Sequence, residues 1–159
     1  MSDKITTCLW FDTEGEEAAQ FYCTLFPNSR IVGVSHYGEA GPRAAGMVMT
    51  VDFELDGRPY VALNGGPDYR FTEAVSFQIS CADQDEVDRY WDTLVADGGA
   101  EGPCGWVKDR FGLSWQVVPA AMPDLLSDPD PERANRAMAA MLKMRKLDIA
   151  ALRAAADGA

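Results

Sequence analysis

The sequence predicts an α+β protein in which one βαβββ unit is used twice and followed by a helical tail, and three observations predict it. "KITTCLWFD" and "AVSFQISCAD" are each a β-rich run ending in an acidic residue just before a helix-like segment. The two helix-like segments carry the same apolar stripe: Ala18, Phe21, Tyr22, Leu25 and Phe26 in the first, Val87, Tyr90, Trp91, Leu94 and Val95 in the second. The stretches "ELDGRPYVALNGGP" and "VKDRFGLSWQVVP" share a plan of charged strand end, Asp/Gly turn and half-apolar strand.

The elements follow in order. Both helices open on a capping signature, Thr13 with Glu16 and Asp83 with Glu86, whose side chains can satisfy the first free backbone N–H groups. Glu14, Glu17, Asp85 and Asp88 then need no catalytic explanation, because the helix dipole favours carboxylates in the first turn. After the first helix, "NSRIVGVSHYG", "GMVMTVDFEL" and "RPYVALNG" read as strands; after the second, "CGWVKD" and "LSWQVV" do. The run "GGAEGPCG" spoils the second strand of the second copy, so a ragged edge is expected there. The modules span 5–65 and 74–118 of a two-module domain over residues 1–119, and residues 120–159 form a C-terminal helical extension. In that extension Asp130 and Pro131 are a helix-start pair, Ala134, Ala137, Met138, Met141 and Leu142 form a stripe, and another helix starts near Asp148. Glu132, Arg133, Arg136, Lys143 and Arg145 charge the opposite face. Such a stripe packs on the chain's own domain or on a partner subunit, and the interfacial version is the expectation.

Composition removes several classes of function. A formal net charge of -11 repels a phosphate backbone or an anionic membrane surface, so neither nucleic acid nor membrane is an expected partner. Cys8, Cys23, Cys81 and Cys104 form no C-x-x-C pair, and "MSDKITTCLW" has no long apolar run; a reducing, cytoplasmic location fits.

The stretches "LWFD", "FYCTLFPNSRI", "FELDGRPYVALNGGP", "SFQISCADQDEVDRYW" and "CGWVKDRFGLSWQVVP", with the tail "KMRKLDIAAL", resemble the PhnB-like branch of the glyoxalase/bleomycin-resistance (vicinal oxygen chelate) superfamily. The resemblance implies paired βαβββ modules around a shared cavity, commonly in a homodimer. It does not imply one reaction, because the superfamily holds metal-dependent isomerases, dioxygenases, transferases and drug-sequestering proteins alike. It also implies a divalent metal held by a His or Gln on the first strand of each module and a Glu on the last. Counting back from Asp12 and Asp83 puts the first-strand positions at Ile5 and Ser76; counting forward from Gly57 and Gly112 puts the last-strand positions at Val61 and Gln116. Only Gln116 offers a useful donor, and an amide oxygen is weaker than a carboxylate for a transition metal, so no metal and no other cofactor is expected.

What remains is neutral and polar. Alternation puts Ser76, Gln78 and Ser80 on one face of their strand and Ser114 and Gln116 on one face of theirs, with Asn64 expected to join them from the first module. Trp106 and Tyr60 are candidate aromatic wall, while strand parity puts Trp10 and Trp115, like Cys8 and Cys81, on the helix-covered side. The candidate ligand-binding set is therefore Asn64, Ser76, Gln78, Ser114, Gln116 and Trp106, and the alternative is a row of side chains that only satisfy one another or ordered water. His36 stands alone near a Gly/Pro loop, and Cys104 is the one thiol in a setting open to reaction. The methyltransferase label often attached to such sequences finds no support, since no strand leads into a G-x-G-x-x-G helix start. Two readings follow: a metal-free small-molecule-binding protein, or an enzyme of unidentified reaction (lyase, dioxygenase or transferase class) that positions a small substrate through Gln116, Gln78 and Asn64. The absence of a paired carboxylate, histidine or activated thiol favours the first.

Overall fold

The computed structural model describes residues 3–159. The chain divides into two compact units, one ending at Arg70 and one running from Phe71 to Ala159.

The first unit contains β1 (Thr7–Phe11), α1 (Gly15–Leu25), β2 (Arg30–His36), β3 (Val48–Leu55) and β4 (Arg58–Asn64). Its sheet runs β1-β4-β3-β2, with β1 parallel to β4 and the remaining pairs antiparallel. Asp56 and Gly57 join β3 to β4 with φ of 48° and 76°, the left-handed pair that a two-residue hairpin needs to match strand twist. Leu9, Phe11, Val51, Phe53, Leu55 and Ala62 are buried with Ala18, Ala19, Tyr22 and Leu25 of the helix.

The second unit repeats the plan: β5 (Ser76–Cys81), α2 (Gln84–Val95), β6 (Ala100–Glu101), β7 (Trp106–Lys108) and β8 (Ser114–Pro119), in the order β5-β8-β7-β6. Again the first and last strands pair in parallel. The two-residue β6 and three-residue β7 are the ragged edge expected of "GGAEGPCG". Gly99 is required there, because a Cβ would lie 2.2 Å from the Leu94 carbonyl oxygen.

The caps diverge from expectation in one module only. Asp83 accepts from the Glu86 N–H at 2.9 Å, and Glu86 reaches back to the Ala82 N–H at 2.8 Å. Thr13 and Glu16 make no such box. The helix starts at Gly15, after a Glu14 that makes no side-chain cap bond, and the Gly15 N–H donates instead to Asn64 Oδ1 at 2.8 Å. A strand residue 49 positions away does the capping, so local spacing could not reveal it.

The tail forms α3 (Met122–Leu126), α4 (Pro131–Met141) and α5 (Ile149–Asp157); α3 has no counterpart in the sequence reading. Asp130 and Asp148 cap α4 and α5, accepting from the N–H groups of Glu132 and Ala151. The tail packs on its own unit. Met122, Leu147 and Leu152 form a buried cluster flanked by Val118, Met141 and Met144. The carbonyls of Met144 and Arg145 accept from Cys104 and Gly105 at 2.8 Å, and the Gln84 amide brackets Leu147 and Ile149. Much of the α4 stripe is thus taken up in cis, while Met138 and Leu142 stay exposed. No helix among the described residues is long and apolar enough to cross a membrane.

Candidate functional site

Alternation along β5 and β8 splits each strand cleanly. Ile79, Cys81, Trp115 and Val117 are buried on the side that carries α2, and Ser76, Gln78, Ser80, Ser114 and Gln116 share the other. The parallel register places Ser76 beside Ser114 and Gln78 beside Gln116; the antiparallel register with β7 adds Lys108 beside Ser114 and Trp106 beside Gln116. Five of the six residues singled out from the sequence therefore meet on one face of one sheet.

Two side-chain hydrogen bonds link them. Gln78 Nε2 donates to Gln116 Oε1 at 3.2 Å, and Gln116 Nε2 donates to Ser76 Oγ at 2.8 Å. The Gln116 amide is held at both ends, and the relay still offers the Ser76 hydroxyl hydrogen, the Gln78 amide oxygen and the second N–H of each amide. Ser114 differs: its hydroxyl oxygen is buried and has no hydrogen-bond partner, alone in this among the described residues.

Asn64 does not join this face. It is 2% exposed on the helix side of the first unit, where Oδ1 accepts from Gly15 and Nδ2 donates to the Val48 carbonyl at 3.1 Å. Its role is structural, and the same correction reaches Tyr60, which stacks on Phe53 at 5.5 Å on that side. On β4 the ligand-face position is Val61, so alternation itself puts Tyr60, Ala62 and Asn64 on the opposite, helix-covered face. On β1 the expectation is in addition one residue out of step. Val61 and Gln116 are equivalent in the two modules, and their parallel partners are Cys8 and Gln78, so β1 and β5 align by 70 residues and not by the 71 that separate Asp12 from Asp83. Every side chain of β1 changes face under that slip. Cys8 and Trp10 accordingly lie on the side away from α1, Cys8 exposed and Trp10 donating its indole N–H to the Gly66 carbonyl at 2.8 Å.

The aligned first-strand positions are then Thr6 and Ser76, and the last-strand positions Val61 and Gln116. A hydroxyl pair, an alkyl group and one amide, two of these already bonded to each other, do not fit a divalent transition metal, which is held by imidazole, carboxylate or thiolate. No three His, Cys, Asp or Glu side chains converge among the described residues.

The sequence reading missed the cleft beside this face. It measures about 430 Å³ and is lined by Trp106, Lys108 and Ser114 together with Glu73, the β6 strand and the following Gly102 and Pro103. Lys108 Nζ is ion-paired with Glu73, 35 residues away, and this hydrogen bond holds the Glu73 carboxyl below the ordinary range. Glu101 accepts from the Trp91 indole N–H at 3.2 Å and lies 3.9 Å from Arg145. Helical and strand periodicity carries no signal for either pairing. The other candidates fall away: burial pushes the Cys81 thiol up to about 12, Cys104 is half-buried with its backbone tied to the tail, and His36 is exposed at the end of β2.

A family model described as 3-demethylubiquinone-9 3-methyltransferase matches residues 3–118. The chain belongs to that family. Its fold is the paired-module glyoxalase fold of the vicinal oxygen chelate superfamily, in the PhnB-like branch. The solved structure of a PhnB protein from Bacillus cereus is 34% identical over 74% of this chain and 100% of that one, with a TM-score of 0.66. Protein PA1353 from Pseudomonas aeruginosa, 20% identical over 74% of this chain and 98% of its own, has a TM-score of 0.59 and supports the fold alone. A comparison with curated proteins found no match. The tail from Pro119 onward lies beyond the matched residues.

Proposed function

We propose that this PhnB-like chain binds a small molecule, without a metal, against the polar face of its second module. The observation that carries the reading is the Gln78–Gln116–Ser76 relay. At the positions where the superfamily's ligand chemistry sits, the chain holds an ordered set of neutral hydrogen-bonding groups next to a cleft of ligand size, and such groups orient a ligand without reacting with it. The methyl transfer in the family's description is not part of the proposal. The βα turns read "FDTEGE" and "CADQDE", acidic and without the glycine-rich G-x-G-x-x-G opening, and each helix N-terminus already has one N–H capped from within, by Asn64 and by Asp83, so neither is built to receive a nucleotide phosphate. A cytoplasmic homodimer completes the proposal: all four cysteines are free, and Val32 and Val34 on the edge strand β2 remain exposed.

The test is a thermal-shift screen combined with metal analysis of the purified protein. A specific ligand at about 100 times its Kd adds roughly 2.7 kcal/mol, which raises the Tm by about 5–10 °C for a chain of this size. Gln116→Leu removes both relay bonds and should abolish that shift while the protein stays folded. Stoichiometric zinc, nickel or manganese in the purified protein, or a shift that survives Gln116→Leu, would overturn the reading.

A further inference from the structure

We infer that the cleft between Trp106 and Pro103 selects neutral, largely apolar aromatic molecules carrying one hydrogen-bonding oxygen, and that Ser114 makes the selection. The inference rests on the small-molecule reading above and assigns it a ligand class. Its first support is the orphaned Ser114 hydroxyl. Ser114 is 1% exposed, lines the cleft, and has no partner for its Oγ, although buried hydroxyls are nearly always satisfied. Neither strand neighbour bonds it: the Gln116 amide is turned to Ser76 and Gln78, and the Lys108 ammonium pairs with Glu73.

The charges around the cleft supply the second support. Among the lining residues, the cation Lys108 is paired with Glu73, and the other anion, Glu101, takes the Trp91 N–H and faces Arg145. An ionic ligand finds both signs of charge in the lining already partnered, so it must compete with these pairs and also shed its own hydration against Ala100, Pro103 and the Trp106 ring. A neutral ring system meets no such penalty. It can lie on the indole face with edge or offset contact. A single oxygen then satisfies Ser114, and a ligand without one leaves the buried hydroxyl unmet, which weakens binding by about tenfold.

The experiment uses four naphthyl probes on the full chain, titrated by calorimetry: naphthalene, 2-naphthol, 2-naphthoate and 2-naphthylmethylammonium. The expected result is a Kd for 2-naphthol about tenfold below that for naphthalene, with both charged probes weaker than 2-naphthol. In Ser114→Ala the advantage of 2-naphthol over naphthalene disappears. The same variant, unliganded, should melt at or above the wild-type temperature, because removing an unpaired buried hydroxyl removes a penalty. The inference is overturned if a charged probe binds as tightly as 2-naphthol, if the naphthol advantage survives Ser114→Ala, or if that variant melts lower, which would mean that the hydroxyl already has a partner. If no naphthyl probe binds while another compound gives a shift sensitive to Gln116→Leu, the ligand class is wrong and the binding reading stands. If neither occurs, both fall.

Discussion

Replacing Asn64 by Ala separates a structural amide from a ligand-binding one. In the folded chain Asn64 is 2% exposed and makes two side-chain hydrogen bonds, from the Gly15 N–H at 2.8 Å and to the Val48 carbonyl at 3.1 Å. The first caps α1 at Gly15, where Glu14 supplies no side-chain cap, in a buried setting where water cannot substitute, so its loss alone costs about 1–3 kcal/mol. The second is half-buried and water can partly replace it, adding a few tenths up to about 1 kcal/mol. The sum is about 1.5–4 kcal/mol, or roughly 3–16 °C of Tm at this chain length. Asn64→Asp keeps the acceptor for Gly15 and places its charge at a helix N-terminus, so it should recover part of the loss, though its second oxygen meets the Val48 carbonyl. Urea and thermal melts by far-ultraviolet circular dichroism measure all three chains. A change below about 0.5 kcal/mol in Asn64→Ala, the level of an ordinary surface substitution, would refute the reasoning, as would a changed Kd for a bound ligand in the folded variant.

Three further outcomes follow from the same geometry. Gly99→Ala should destabilise by about 3 kcal/mol or more, because its Cβ would meet the carbonyls of Leu94 and Lys108 at 2.2 and 2.8 Å, whereas Gly38→Ala, with nothing within 4 Å, should stay within about 0.5 kcal/mol; paired chemical melts give the comparison. The carboxyls of Asp128 and Glu73 are depressed in the folded chain, the first by the Asp130 N–H and then by Arg133, the second by Lys108. Depressed groups lend stability that is complete above the unfolded carboxylate range and lost as pH falls through their folded values. The Tm should therefore drop between about pH 5 and pH 2, and less steeply in Asp128→Asn; a Tm flat in pH would contradict it. Thiol labelling followed by mass spectrometry near neutral pH should mark the exposed Cys8 in the native protein and reach Cys81, buried and pushed up to about 12, only after unfolding. Early labelling of Cys81 would show that the second sheet opens locally.

Where the sequence reading held, the signal was local. Asp83, Asp130 and Asp148 cap their helices because an Asx side chain bonds an N–H two or three residues ahead. The polar face of β5 and β8 was legible because alternation needs only neighbouring residues and a correct anchor, which Gly112 provided for β8. Where it failed, the partner was remote. Asp12 resembles the counterpart of Asp83, and the one-residue error that follows reverses every side chain of β1 and misplaces Trp10 and Cys8; Asn64, expected to join the polar face from the first module, instead bonds the start of α1. The tail's stripe was equally ambiguous, since an apolar helix face does not report what covers it; here the chain's own second unit takes up Ala137 and part of Met141 and leaves Met138 and Leu142 exposed.

By itself, then, the sequence determined the elements, their order, their repetition and the neutral chemistry of one sheet face. All of these are properties of stretches a few to a dozen residues long. Only the tertiary structure decided the register between β1 and β4, the cap on α1, the Lys108–Glu73 pair and the unpartnered hydroxyl of Ser114. Each of these depends on which distant residues the closed chain brings within about 3 Å of one another, and hydrogen bonding at that range is indifferent to sequence separation.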